Sequence, residues 1–149
     1  MNDAIILRTT RDRFRYTFIF EITLMLVLVP IGAVFFDKPL VDIGLLLLVL
    51  SGKAMVWGLF YNWVFDQLEA RSGRISSNRS WAWRIVHAIG FEVSLTITSL
   101  PIYTLWLNIG ILEALTVDIF VTSFVVAYTF AFTLAYDRAF PLTQHKPPV

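Results

Sequence analysis

RFRYTFIFE (Arg13 to Glu21) and RIVHAIGFE (Arg84 to Glu92) carry Arg, Phe and Glu at the same places, offset by 92 − 21 = 71 positions. The same offset carries Pro30 onto Pro101, Asp37 onto Asn108, Asp42 onto Glu113, Trp57 onto Tyr128, Asn62 onto Thr133 and Asp66 onto Asp137. The register needs no insertion or deletion, so the chain reads as one unit written twice. Each copy places a Glu inside an apolar segment. Internal repeats with two apolar spans per copy are a common way of building membrane transporters.

Of the 149 residues 57% are apolar and 15% charged, whereas charged residues make up about a quarter of an ordinary soluble domain. The expected fold class is therefore an all-α integral membrane protein. Four spans are legible, at about 14–36, 40–65, 83–107 and 111–136. Each exceeds the roughly 20 residues that cross a hydrocarbon core of about 30 Å. Together they give two parallel two-helix repeats, residues 1–71 and 72–149, joined by a linker at about 69–80. The first span follows an Arg-rich start and is long, with no small-residue cleavage site after a short apolar core, so removal as a signal peptide is not expected. The chain contains no Cys, which excludes disulfides, thiolate metal sites and a catalytic thiol.

The net charge of +1 says little, but the cations are unevenly placed. Arg8, Arg11, Arg13 and Arg15 precede span one, Arg71, Arg74, Arg79 and Arg84 flank the linker, and Arg138 and Lys146 follow span four. The turns at 37–42 and 108–113 hold Lys38 and several acids. The positive-inside rule then places both termini and the linker in the cytoplasm. Orientation and contact with anionic headgroups account for the Arg-rich linker without a nucleic-acid partner.

Glu21 lies about two turns inside span one, roughly 10 Å deep, and Glu92 occupies the same place in the second copy. Intramembrane acids are costly, face a bundle interior or a watery cavity, and mark function by default. A carboxyl group there that is held by a proton or by an organic cation, but not by both, is the minimum part for proton-coupled cation export. Lys53 is the odd residue of span two, because its repeat mate is Phe124. Depth alone leaves its charge partner open between Glu92 and Asp118 of span four. Gly58 and Asn62 share a face of span two near the level of Glu21, where a missing side chain either leaves room for substrate or packs helices closely. Trp57, Tyr61, Trp63, Tyr128, Tyr136, Trp81 and Trp83 form interfacial belts, and Trp57, the deepest of its group, is the candidate to stack on a cation. His87 does not share a face with Glu92 and reads as structural or interfacial; Tyr16 replaces it in the first copy. Pro30 and Pro101 each remove a backbone bond past the middle of their spans.

The segment Arg84 to Glu92, with Trp57, Asn62, Phe65 and Asp66 closing the first copy and Tyr128, Thr129, Phe130 and Asp137 the second, resembles the proteobacterial antimicrobial compound efflux (PACE) family. Its members are built from two bacterial transmembrane pair domains, and the resemblance runs from about Arg13 to Asp137. It implies a four-span, proton-driven exporter of the bacterial inner membrane acting on biguanides, quaternary ammonium compounds, cationic dyes and, in some members, short diamines. The family's key acid falls on Glu21. Departures are Tyr16 where a His is frequent, Gly58 where an Asn usually follows the Trp, and Thr133 where the second copy usually has Asn; Lys53 is not carried over from the family.

The leading expectation is thus a cation/proton antiporter using Glu21 and Glu92, with Trp57, Gly58, Asn62 and Asp118 along the substrate path and Lys53 as charge partner. The alternative is a non-transporting assembly protein whose buried charges serve as interhelical contacts. No metal-ligand spacing or nucleophile and base pair supports an enzyme, and no cofactor is expected. Because four helices barely enclose a drug-sized cavity, a homodimer is expected.

Overall fold

A computed structural model describes residues 9–71 and 80–141. Arg8, Arg74, Arg79 and Lys146, most of the expected linker, and the boundary between residues 71 and 72 involve positions outside the described residues. Four helices follow one another: α1 (Thr10–Phe36), α2 (Leu40–Arg71), α3 (Trp81–Leu107) and α4 (Ile111–Ala139). All four are long and apolar enough to cross a membrane. They overrun the apolar spans, α2 by more than a turn, because a helix satisfies its own backbone in water as well as in lipid and stops only where a cap or breaker stops it.

Those stops are duplicated too. Thr9 and Ser80, one repeat apart, hold the same extended backbone before α1 and α3 (φ −66°, ψ 158° and φ −66°, ψ 160°). The Thr9 hydroxyl accepts the Asp12 N–H at 3.2 Å. Asp37 and Asn108 end the two helices at φ 50° and 57°, a left-handed conformation that Asp and Asn tolerate best among residues with a side chain. The sequence conserves these stops between copies by chemistry rather than identity. Before α4, Glu113 accepts the Gly110 N–H at 2.9 Å; before α2 the equivalent residue is Pro39, which has no N–H to offer.

The helices form a ring in which α1 meets α2 and α4, and α3 meets α2 and α4. Within each repeat the hairpin pairs α1 with α2 and α3 with α4, and at the turn end the two hairpins share one buried core of Ile43, Leu46, Tyr103, Leu107 and Ala114. In the terminal half the partners change: α1 packs on α4, and α2 on α3. Tyr16 and Thr133 share a hydrogen bond of 2.8 Å, and His87 donates to Asn62 at 3.0 Å, the same pair of positions seen from the other copy. Thr23 bonds to Tyr128, and Trp57 Nε1 donates to Ser94 at 3.0 Å, again repeat equivalents. Phe20 meets Phe132 edge-on at 5.2 Å, and Phe91 meets Tyr61 edge-on at 5.4 Å. Contacts that map onto one another when the copies are exchanged define a pseudo-two-fold axis along the bundle, the geometry of parallel repeats.

The two seams predict matched energetics. Tyr128→Phe and Trp57→Phe each remove one interhelical hydrogen bond, worth about 0.6 to 1.7 kcal/mol in a membrane bundle. Thermal unfolding in detergent is expected to fall by similar amounts in the two single variants and additively in the double variant, because the seams share no residue.

Candidate functional site

Because each repeat closes at its turn end while the terminal half pairs α1 with α4 and α2 with α3, a slit is left between the two cross-repeat pairs. A cavity of about 350 Å³ occupies it, at the small end of ligand sites. Its lining is itself two-fold: Glu21 with Glu92, Ser51 with Thr122, Leu24 with Leu95, Leu50 with Val121 and Ala54 with Val125. Helix periodicity brings Glu21, Leu24 and Leu28 to one face of α1, and Glu92, Leu95 and Ser99 to the matching face of α3. Glu21 is half-buried and Glu92 exposed. Neither carboxylate has a hydrogen bond or ion pair among the described residues.

The symmetry breaks at one level. Asp118, buried at 7% exposure, lines the cavity where the first copy has Leu47. It accepts a hydrogen bond from Thr96 at 2.7 Å, and Thr96 stands where the first copy has Met25. Neither expected partner of Lys53 is realised as an ion pair within 4.0 Å. Its ammonium donates instead to the Leu95 carbonyl and the Ser99 hydroxyl, both at 2.7 Å on α3. Lys53 faces α3 across the seam, where its flexible stem reaches backbone, while Asp118 is already held by Thr96.

Trp57, Gly58 and Asn62 lie on the α2–α3 seam and not in the cavity lining. The Trp57 indole is committed to Ser94. A Cβ on Gly58 would meet the Phe91 ring at 3.9 Å, an ordinary contact, so this glycine faces α3 without being required by a close approach. Asn62 donates to the Gly58 carbonyl at 2.8 Å and accepts from His87. His87 is structural, its ring edge-on to Tyr61 and Phe65 at 5.2 and 4.7 Å. Sequence reasoning missed Ser51, Ser99 and Thr122 in the lining. Hydroxyls in an apolar helix commonly bond their own preceding turn, so they carry no signal of a site.

Toward the turn end a second cavity of about 340 Å³, almost wholly apolar, includes Gly32, Phe36, Ile43 and Thr116 in its lining. It shares Leu28, Leu47, Tyr103 and Val121 with the first. At the terminal end the α1–α4 seam is closed by Tyr136 of α4, whose hydroxyl accepts from Arg15 Nε and donates to Asp12, both at 2.9 Å, the two α1 residues being themselves ion-paired. The Arg15 guanidinium also covers the Phe140 ring at 3.9 Å. No group of three potential metal ligands occurs among the described residues.

Three acids, Glu21, Glu92 and Asp118, thus line one slit of a four-helix membrane bundle. The chain is 32% identical over 110 residues to a short-chain diamines transporter of Vibrio parahaemolyticus, covering 74% of this chain and 76% of that one. It is 27% identical over 116 residues to a protein of the same name from Acinetobacter baylyi, covering 78% and 80% of the two chains. A third, from Acinetobacter baumannii, is 30% identical over 100 residues, covering 66% and 67%. No solved structure matches the chain. The family model of the bacterial transmembrane pair (BTP) domain, described as chlorhexidine efflux transporter, matches twice, over residues 8–71 and 79–142. The duplicated unit, the four spanning helices and both matches make this chain a member of the PACE family of efflux transporters, a multi-pass membrane protein.

Proposed function

We propose that the chain exports small organic cations in exchange for protons, with Glu21 as the coupling acid and Glu92 as its partner across the slit. The observation that carries this reading is the meeting of both repeat acids in one cavity without a cation of the protein paired to either. The interhelical hydrogen bonds on the seams run through Tyr, Thr, Trp, Ser, His and Asn, and include the charged Arg15 and Lys53. Glu21 and Glu92 are thus left out of the packing role that a non-transporting assembly protein would give them. A carboxylate desolvated in such a slit is stabilised by a proton or by an ammonium, and occupation by one displaces the other.

Of the three carboxylates in the slit, Asp118 is held by Thr96, and the two without a hydrogen bond among the described residues, Glu21 and Glu92, favour a substrate with two cationic ends. The relatives named as short-chain diamines transporters support that substrate class. Biguanides, quaternary ammonium compounds and dyes fit the same charge logic, the longer ones by extending into the apolar cavity beyond Tyr103. The protein sits in the bacterial inner membrane with both termini cytoplasmic, as the cation distribution directs. Substrate enters the slit from the cytoplasm or the inner leaflet, and protonation from outside releases it.

The test is proton release from purified protein in weakly buffered detergent on adding putrescine. Release that saturates with amine concentration is expected. Amine binding with no proton released would overturn the exchange mechanism, and absence of any binding would overturn the cation substrate class. A homodimer completes the reading, since four helices barely enclose a drug-sized cavity. Native mass measurement in detergent is expected to find two chains per particle, and monomer alone at working concentration would remove that element.

A further inference from the structure

Lys53 is the polar feature that the exchange mechanism leaves unused. It occurs in one copy, its mate being Phe124, so the repeat does not require it for folding. Its ammonium is seated on the Leu95 carbonyl and the Ser99 hydroxyl, and both of those residues line the slit. Asp118, also specific to one copy, lines the same slit. The described lining therefore holds three carboxylates, Glu21, Glu92 and Asp118, with one ammonium behind its wall. Three negative charges lining one slit inside an apolar bundle would repel one another. One fixed cation offsets one of them.

We propose that Lys53 is a specificity-determining residue: a resident ammonium that supplies one of the three cations the slit requires, and so limits the exported substrate to two charged ends. This rests on the cation-exchange reading above. It assigns Asp118 as the acid that Lys53 balances through space, and leaves Glu21 and Glu92 for the substrate.

Putrescine and spermidine, which is putrescine extended by one aminopropyl arm, are the probes. Their affinities for the purified full chain are to be compared in the unsubstituted protein, Lys53→Met and Lys53→Arg. Lys53→Met is expected to raise spermidine affinity relative to putrescine about tenfold, the effect of one charge acting across roughly 10 Å at an effective permittivity of about 20. Lys53→Arg, which keeps the charge, is expected to retain the original ratio. Methionine leaves no orphaned polar group, because Ser99 also donates to the Leu95 carbonyl at 2.9 Å.

Asp118→Asn supplies an independent arm should Lys53→Met fail to fold, since Asn still accepts from Thr96. It is expected to lower putrescine affinity about tenfold relative to butylamine. Unsubstituted protein that binds putrescine, with both ratios unmoved in Lys53→Met and Asp118→Asn, overturns the role of Lys53 while leaving cation exchange standing. Unsubstituted protein that binds no amine overturns both.

Discussion

Glu21→Gln is expected to reduce putrescine-driven proton release to background and to abolish export against a gradient, in protein that stays folded. The physical basis is that the substitution removes the ionisable group and almost nothing else. The Glu21 carboxylate holds no hydrogen bond or ion pair among the described residues, so a neutral amide of the same shape orphans no partner. The seams that join α1 to α4 run through Tyr16, Thr23 and Arg15, all untouched. Thermal unfolding should therefore move little. Glu92→Gln provides the contrast. It removes one of the charges facing the amine and is expected to weaken putrescine binding about tenfold, while release continues through Glu21. A Glu21→Gln protein that still concentrates amine in proteoliposomes would place the coupling proton elsewhere, and release lost in Glu92→Gln but kept in Glu21→Gln would exchange the roles of the two acids.

How far the sequence reaches is set by what a helix repeats. The spans, their pairing into copies and the two acids follow from periodicity and from the constant offset, because those properties are local to a helix or to a copy. Asp118 was reachable for the same reason, as an acid inside an apolar run. Trp57, Gly58 and Asn62 do share a face of α2, but the face meets α3. Nothing in the spacing along α2 says which neighbour it meets, since that depends on how one copy is rotated against the other. Lys53 shows the same limit more sharply: counting depth weighed two carboxylates and could not weigh a carbonyl, because every residue has one. The seam partners become predictable only once the offset is applied to contacts rather than to residues. One observed pair, Trp57 with Ser94, then implies its mate, Tyr128 with Thr23.

The departures from that symmetry are where the bundle acquires its second cavity, and they supply the other large expected effect. Gly32 of α1 has Tyr103 of α3 as its repeat mate, and Ile43 of α2 has Ala114 of α4. The first copy thus sets a small residue on its first helix against a large one on its second, and the second copy reverses the order. Ile43 and Ala114 are both essentially inaccessible, at 2% and 0% exposure, and the reversal lets each hairpin close tightly. A Cβ on Gly32 would stand 2.9 Å from Ile43 Cγ2, and a β-branched side chain in a packed core has little freedom to yield. Gly32→Tyr alone is expected to destabilise the protein by about 1 to 3 kcal/mol through overpacking. Gly32→Tyr with Ile43→Ala rebuilds the pattern of the second copy in the first. It is expected to recover most of the loss, a coupling of about 2 kcal/mol between residues in contact. The recovered double variant then isolates a functional question, because Gly32 and Ile43 both line the apolar cavity beyond Tyr103. A tyrosine there fills space that a long biocide needs and that a short diamine does not. Putrescine export is expected to survive in the double variant while chlorhexidine export falls, in transport assays on cells carrying matched amounts of protein. Equal loss of both substrates would instead make the apolar cavity a common exit route, and loss of neither would remove it from the path.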